Sequence, residues 1–407
     1  MGGFQTRGAD RPDGGRALNH ASPERRIYLD DNASAPLRPE AAEAMRRCES
    51  ERFANPSSIH AEGRTARRVV EEAAESVARL IGADPSEILF TSGGTESNNL
   101  ALEGFARREE AKGRLGRMVA TAVEHASVLE PMRALEQRGW KISLLPVTTA
   151  GEIDLDAVDQ ALKERVALAA CMSANNVTGV ANPMGTLAQR FRAAGGRVHC
   201  DAVQSAGRQR INVDDWGVDF LALSSHKIGG PKGVGALYVR KGVAISPLIT
   251  GGPQQRGLRG GTLNTAGISG FGAAARCAAT ELASEPARQQ ALMDRLLEKI
   301  RRRFEGVRIH GESSLRLPNT LNLYFPGAEG SSLVIGLDLE GVAVSAGAAC
   351  DSGATEPSHV LTAMGCCPEE ARSSIRISIG RTTEAEELDS FLLRLEKVVG
   401  RIRQVAP

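Results

Sequence analysis

Short apolar runs that end in polar or glycine-rich loops recur along the first two thirds of the chain. Five of them have the length of a buried strand, and they lie at residues 88–90, 118–123, 166–172, 197–200 and 220–223. Helical patterns lie before and between these runs. The first, at residues 59–81, has apolar residues at helical spacing and is followed by Gly82 at the position of a C-terminal cap. Strands that alternate with helices predict a mostly parallel sheet, with all five loops at one edge.

After about residue 262 the pattern changes. Helical patterns at 266–281 and 287–304 are followed by alternating segments at 321–325, 342–344 and 375–379. A last helix is expected to start at a capping box over residues 383–386 and to carry an apolar stripe as far as Ile402. The predicted fold class is therefore α/β, with a large domain at 37–279 and a smaller α+β domain formed by 27–36 and 280–407.

Composition excludes several classes of protein. The 407 residues are 42% hydrophobic and 24% charged, and the net charge of +1 with no long basic block argues against nucleic acid as a partner. No apolar run reaches membrane-spanning length, so we expect a soluble, cytoplasmic protein. The odd number of cysteines, seven, without zinc-type paired spacing favours free thiols in a reducing compartment. Residues 1–26 have no apolar period and predict a disordered tail rather than a signal or transit peptide.

Lys227 is the first candidate for chemistry. It follows the apolar run 220–223 within Ser224-Ser-His-Lys227, and four glycines and Pro231 come after it. The carboxyl end of a buried strand is where open α/β sheets bind ligands. A lysine there can lose its charge by desolvation and form a Schiff base, although a lone loop lysine is more often simply solvated.

The other strand ends carry complementary groups. Gly94 and Thr95 stand between a strand and a helix, which indicates an anion site without a P-loop lysine. Asp201 ends a strand and, if buried, needs a cationic partner. Taken singly, these residues also fit a glycine-rich turn and a helix cap. Pyridoxal phosphate requires a lysine, an acid at its ring nitrogen, a phosphate site, an aromatic lid and donors to its phenolic oxygen. The strand ends supply these groups in the order Lys227, Asp201, Gly94 with Thr95, His125, and Gln204 with Asn176.

Cys350 is the candidate nucleophile. Its segment, Ser345-Ala-Gly-Ala-Ala-Cys350, is made of small residues, which predicts a mobile loop and an accessible thiol. Inert burial is the competing interpretation for any single cysteine. The adjacent Cys366 and Cys367 lack such a context, so we interpret them as structural.

In order and spacing these residues resemble the class-V, fold-type I pyridoxal-phosphate enzymes and, more closely, the cysteine desulfurases of the NifS/IscS group. The resemblance runs from about residue 27 to residue 403. The matching stretches are Tyr28-Leu-Asp-Asp-Asn-Ala, 55–60, 90–97, 124–125, 175–176, 201–204, 225–235, 259–262, Cys350 with 356–359, and 373–376.

The resemblance implies a role for each candidate. Lys227 would bind the cofactor covalently, Asp201 would pair with its pyridinium, and His125 would stack on its ring and take part in proton transfer. Gln204 would bond the phenolic oxygen. The phosphate would be held by Thr95, Ser224, His226 and, from the second subunit of a homodimer, Thr262. The substrate carboxylate would be held by Asn176 and Arg376, with Asn32 nearby. The implied activity converts L-cysteine to L-alanine, with Cys350 passing the sulfur to an iron–sulfur scaffold or another acceptor. No intrinsic metal is expected, although Cys350 is a candidate ligand of a transferred iron–sulfur cluster.

Two departures from the group bear on rate rather than on reaction type. Val177 stands where the group often has an acidic residue, and Ala346 and Ala348 replace hydroxyl residues of the cysteine loop. The end of the chain at Pro407 favours a nitrogenase-associated role over a housekeeping one. Two alternatives stay open: an aminotransferase or selenocysteine lyase, which would not need Cys350, and a cofactor-free subunit that only presents Cys350 to partners. Intact Lys227, Asp201 and His125 argue against the second.

Overall fold

The structure, a computed structural model, describes residues 26–346 and 357–405. Its strands, in chain order, are β1 Ile27–Tyr28, β2 Ile88–Thr91, β3 Arg117–Thr121, β4 Lys141–Leu145, β5 Leu168–Ala170, β6 Arg197–Asp201, β7 Phe220–Ser224, β8 Gly235–Val239, β9 Arg308–Ile309, β10 Thr320–Tyr324, β11 Val342–Ala343, β12 Ser345–Ala346 and β13 Ser374–Ser378. Its helices are α1 Pro39–Glu51, α2 Ala61–Ile81, α3 Gly94–Glu110, α4 Ala126–Gln137, α5 Leu155–Ala161, α6 Met184–Ala193, α7 Val213–Trp216, α8 Thr265–Glu281, α9 Glu285–Arg303, α10 Gly330–Leu339, α11 His359–Ala363, α12 Pro368–Arg372 and α13 Ala385–Val405.

A seven-stranded sheet carries the five predicted strand ends. Its order is β2-β8-β7-β6-β5-β3-β4, and β8 runs antiparallel to both of its neighbours while the other strands share one direction. The carboxyl ends of β2, β3, β5, β6 and β7 therefore meet at one edge. The predicted α/β class with a mostly parallel sheet is confirmed.

Helices cover both faces of this sheet. Val119 of β3 packs into a core shared with α2, α6 and α8, whereas its neighbours Met118 and Ala120 pack into a second core with α3 and α4. Strands buried on both faces read as continuous apolar runs, which is why the sequence shows them so clearly. The edge strand β4 was not predicted; several of its residues are only partly buried or exposed, so it lacks that run.

A smaller antiparallel sheet, in the order β12-β13-β10-β9, packs with α9, α10 and α13 around a separate core. The capping box was predicted at residues 383–386, and this position is wrong by one residue. Thr383 Oγ1 accepts a hydrogen bond from Gly380 N, and Glu387 Oε2 accepts one from Glu384 N, so the box partner lies one residue further on. The Thr383 hydroxyl therefore binds the backbone of the turn at Gly380 instead of capping the helix.

The domain boundaries at 27–36, 37–279 and 280–407 stay a prediction. Of the tail expected at 1–26, residues 1–25 lie outside the described residues, and Arg26 forms an ion pair with Asp338. Across the described ranges, no helix combines the length and the apolar character that crossing a membrane requires.

Candidate active site

The strand ends enclose a cavity of about 340 Å³. Small-molecule sites in proteins measure roughly 300–1,000 Å³, so the volume suits a cofactor with its substrate. The cavity brings together most of the residues that the sequence singled out: Asn32, Gly94, Thr95, His125, Asn176, Asp201, Gln204, Ser224, His226, Lys227 and Arg376.

Lys227 lies in a single 3₁₀ turn, Ser225–Ile228, directly after β7. Its Nζ donates to the carbonyl oxygens of Asn32 and Ala33, the latter at 3.0 Å. The segment that carries these oxygens is anchored by an ion pair between Asp31 and Arg208 at 2.7 Å, with both side chains less than a tenth exposed. Burial raises the pKa of Asp31, and Arg208 opposes this shift. The amine is therefore held by protein groups rather than solvated in a loop.

Asp201 is the last residue of β6. Its Oδ2 accepts from Asn98 Nδ2 at 2.7 Å and its Oδ1 from Val203 N at 3.0 Å. Asn98 also donates to Ser127 Oγ at 2.8 Å, and its Oδ1 lies 2.8 Å from His199 Nε2. Burial lowers the pKa of His199 to about 4, so the ring is neutral and the hydrogen-bond network assigns its proton to Nε2. Among the described residues, Asp201 has hydrogen-bond donors but no cationic partner.

Sequence reasoning missed Asn98 and His199. Each had a signal: Asn98 is one helical turn beyond Gly94 on α3, and His199 precedes Asp201 by two residues, which places both side chains on one face of β6. What the sequence lacks is the contact between them, 101 positions apart in the chain.

The N-terminus of α3 forms the anion-binding end of the cavity. No side chain in the described part of the chain caps this helix, so its first backbone N–H groups remain available for an anion. A Cβ on Gly94 would lie 2.8 Å from Val203 Cγ2, which explains the glycine. Burial together with the nearby Lys227 and Lys232 lowers the pKa of His226 to about 4. His226 therefore offers a neutral imidazole, with Nδ1 3.2 Å from Ser34 Oγ.

His125 and Glu124 follow β3. His125 caps α4, its Nδ1 accepting from Ser127 N at 3.0 Å. Glu124 is fully buried, and its Oε1 accepts from Thr121 Oγ1 at 2.6 Å and from Met172 N at 2.7 Å. Burial raises the pKa of Glu124 to about 8, so this carboxyl group is protonated at neutral pH. Glu124 matches the family in sequence, but the sequence pattern indicates no role for it.

Arg376 reaches the cavity from β13 of the smaller sheet and is 1% exposed. Its Nη2 pairs with Asp30 Oδ1 at 2.6 Å, and its Nη1 donates to Asn176 O at 2.9 Å. Its Nε is buried and has no hydrogen-bond partner within the described ranges. Asn32 uses its side-chain amide to donate to Thr320 Oγ1 at 2.9 Å. Arg376 thus brings a buried positive charge to the cavity, while the Asn32 side chain is engaged by the protein itself.

Of the three remaining predicted site residues, Gln204 lines the cavity and Thr262 does not. Gln204 Nε2 donates to the carbonyl oxygen of Asn32 at 3.1 Å, the same oxygen that Lys227 contacts. Thr262 is exposed and does not line the cavity of its own chain. Cys350 lies outside the described residues. The roles implied for these three residues, and for the other site residues, stay predictions.

The donor set fits pyridoxal phosphate. A strand-end lysine, a buried carboxylate with no cationic partner among the described residues, and a helix N-terminus that no described side chain caps share one cavity. These are the groups that this cofactor requires. Fold and site together define the class of fold-type I pyridoxal-phosphate enzymes.

Comparison with known proteins agrees with this class. Residues 27–391 match the family model "Aminotransferase class-V". The cysteine desulfurase IscS of Dictyoglomus turgidum is 45% identical over 384 residues, which cover 94% of this chain and 97% of the relative. A solved NifS-like protein superposes with a TM-score of 0.86 at 36% identity, covering 92% of this chain and all of the other. The structure titled "SspA in complex with cysteine" superposes with a TM-score of 0.77 at 34% identity, covering 87% and 98%. The chain belongs to the class-V aminotransferase family, within its cysteine desulfurase group.

Proposed function

We propose that this chain removes sulfur from L-cysteine with the aid of pyridoxal phosphate, giving L-alanine and a persulfide on Cys350. Membership of the cysteine desulfurase group supports the reaction. The observation that carries the proposal is the meeting of Lys227, Asp201, Thr95 and Arg376 in one cavity.

Residues on several sides of the cavity would bind different parts of the cofactor. Lys227 would bind it covalently, and Asp201, which lacks a cation in the described protein, would take the protonated ring nitrogen as its partner. The N-terminus of α3 at Gly94 and Thr95, with Ser224 and His226 beside it, would hold the phosphate. His125 would cover the ring. When bound, pyridoxal phosphate supplies an electron sink that makes the Cα proton of an amino acid removable.

The chain's own residues then perform the chemistry. Arg376 would hold the carboxylate of cysteine, because its positive charge lies buried at the cavity wall. Lys227 Nζ acts as the base for the Cα proton. The Cys350 thiolate attacks the substrate sulfur, so that a sulfur–sulfur bond forms while the substrate Cβ–S bond breaks. The former cysteine is reprotonated and leaves as alanine, and Cys350 keeps the sulfur as a persulfide, which balances the reaction without an external oxidant.

Alanine release from L-cysteine, measured with a thiol reductant present, tests the proposal. Cys350→Ser should keep the cofactor absorbance and release no alanine. Cys277→Ser, which changes a free thiol in α8 away from the cavity, should match the parent. Equal alanine release by the parent and by Cys350→Ser would assign the chemistry to a lyase that expels sulfur directly. No release by the parent itself would reject the desulfurase and favour a transaminase.

Finer features of the function are also proposals. A homodimer would let Thr262 reach the phosphate in the neighbouring subunit, and its exposure in the single chain accords with that. An iron–sulfur scaffold or another acceptor protein would collect the sulfur. A cytoplasmic location and an association with nitrogenase remain predictions.

A further inference from the structure

A second cluster of side chains, distant in sequence from Lys227 and Asp201, combines an imidazole, a thiol and a carboxylate. His310 follows β9, Cys366 lies between α11 and α12, and Glu370 belongs to α12. His310 Nδ1 is 3.5 Å from Cys366 Sγ and 4.0 Å from Glu370 Oε1, and the three atoms all lie within 4.8 Å of one another. The cluster cannot be recognised from the sequence, because its members come from two segments more than fifty residues apart.

The neighbours of His310 fix its tautomer. Ser374 Oγ donates to Glu370 O at 2.6 Å, so its lone pairs are left to accept the proton of His310 Nε2 at 3.0 Å. The ring is 5% exposed and carries its proton on Nε2. Nδ1 therefore presents a lone pair to Cys366 and Glu370. An imidazole whose other nitrogen is held by a hydrogen bond is the usual form of a metal-ligating histidine.

We infer that His310, Cys366 and Glu370 form a binding site for Zn²⁺. With Zn–S near 2.3 Å and Zn–N near 2.0 Å, a tetrahedral ion separates sulfur from nitrogen by about 3.5 Å, the distance found here. The carboxylate oxygen has to approach Nδ1, because the corresponding N–O separation is about 3.3 Å. Nitrogen, sulfur and oxygen ligands together select zinc over magnesium or calcium. Binding replaces the thiol proton of Cys366, which passes to solvent.

Two features of the cluster compete with the metal. Arg308 Nη2 lies 3.2 Å from Glu370 Oε1, but its side chain is 61% exposed and can turn towards solvent. Without metal, the Cys366 thiol donates a simple hydrogen bond to His310 Nδ1 at 3.5 Å. A plain thiol–imidazole hydrogen bond is thus the alternative that an experiment has to exclude.

Tetrahedral zinc needs a fourth ligand. Cys367 is exposed and adjacent in the chain, and its Sγ accepts from Glu370 N at 3.5 Å. Either this thiolate or water would complete the tetrahedron. The ion would join β9 of the smaller sheet to the turn between α11 and α12. The inference does not depend on the proposed function.

The test is a titration of chelator-treated holoenzyme with Zn²⁺ and, separately, with Co²⁺. The Cys350→Ser holoenzyme is titrated in parallel, so that the reactive thiol cannot account for binding. We expect one Zn²⁺ per chain, and tetrahedral cobalt bands at the red end of the spectrum, away from the cofactor absorbance. Cys366→Ser should weaken binding at least about 100-fold, because the loss of a ligand exceeds the roughly 10- to 100-fold effect of an outer-shell partner. The control, Cys277→Ser, should bind as the parent does.

Ser374→Ala is the second variant, since it keeps all three ligands and removes only the group that fixes the tautomer. It should weaken Zn²⁺ binding about 10- to 100-fold. A zinc-dependent rise in melting temperature, present in the parent and absent in Cys366→Ser, would be the independent readout. Unaltered affinity in Cys366→Ser, or the absence of saturable Zn²⁺ binding by the parent, would overturn the site. Weaker binding by Cys367→Ser would support a site with four protein ligands, and unchanged binding one completed by water.

Discussion

Two sides of the cavity hold their functional groups by different physical means. One side surrounds Lys227 and is called the wall of Lys227, and the other surrounds Asp201 and is called the wall of Asp201. On the wall of Lys227, charges are neutralised in pairs, Asp31 with Arg208 and Asp30 with Arg376. The lysine itself rests on two backbone carbonyl oxygens.

The wall of Asp201 is built from neutral groups. Asn98 and Ser127 are uncharged, the pKa of His199 is lowered to about 4, and the pKa of Glu124 is raised to about 8. Asp201 is therefore the one carboxylate there without a charge partner in the described protein. The difference teaches that the arginine charges on one wall are already paired with carboxylates, whereas Asp201 on the other wall leaves a position for a cationic ligand.

Removing the lysine should have the largest effect on turnover. In Lys227→Ala we expect alanine release to fall by about 10²- to 10⁴-fold or more, because the variant lacks the proposed base for the Cα proton. Cofactor should still bind non-covalently, since the wall of Asp201 is unchanged. Lys232→Ala, an exposed lysine in the same loop, is the control. Activity close to that of the parent in Lys227→Ala would refute the assigned base.

Breaking the buried ion pair should have the largest effect on stability. Asp31→Asn leaves the Arg208 charge buried and uncompensated, and we expect the free energy of unfolding in urea to fall by about 3–5 kcal/mol. The double variant Asp31→Leu with Arg208→Met removes both charges and should recover most of that loss. If the double variant is as unstable as the single one, charge pairing is not what holds this wall.

A substitution on the wall of Asp201 should have a smaller effect on the rate than the loss of Lys227. Asn98→Ala removes a hydrogen bond to a charged group, which contributes about 1.5–3 kcal/mol, so kcat/KM should fall about 10- to 100-fold. A shift in the pH dependence of the bound cofactor's absorbance should accompany the loss, because Asp201 would no longer be held at the ring nitrogen. Asn99→Ala, one residue further along α3, should leave both unchanged. A rate loss without a spectral shift would make Asn98 a structural residue only.

Glu124→Gln should have the smallest effect, visible as a change in pH dependence. The pKa of Glu124 is raised from 4.5 to about 8, so between these values the folded chain holds a proton that the unfolded chain releases. This contribution to the stability of the parent is complete below pH 4.5 and is lost as the pH rises towards 8. Urea unfolding across this range should show that loss in the parent and in Glu130→Gln, an exposed control on α4, but not in Glu124→Gln. Parallel curves for all three proteins would contradict the protonated state.

The sequence by itself determined the strands of the large sheet and the chemistry at their ends. Strands buried on both faces are short apolar runs, and the polarity changes sharply where each run stops, so Lys227, Asp201 and Gly94 can be located from neighbouring residues alone. The edge strand β4 could not be predicted in this way, because it is only partly buried and has no continuous apolar run.

Only the tertiary structure decided which groups contact one another and which are charged. The support of Asp201 by Asn98 joins residues 103 positions apart, and the lysine's acceptors lie on a segment 195 positions away. The cluster of His310 with Cys366 is of the same kind. The protonation state of Glu124 depends on complete burial, a property of the packed chain rather than of its neighbours in sequence. Local sequence patterns specify which positions carry reactive side chains. Long-range packing sets the dielectric and the contact partners that determine whether each side chain is charged.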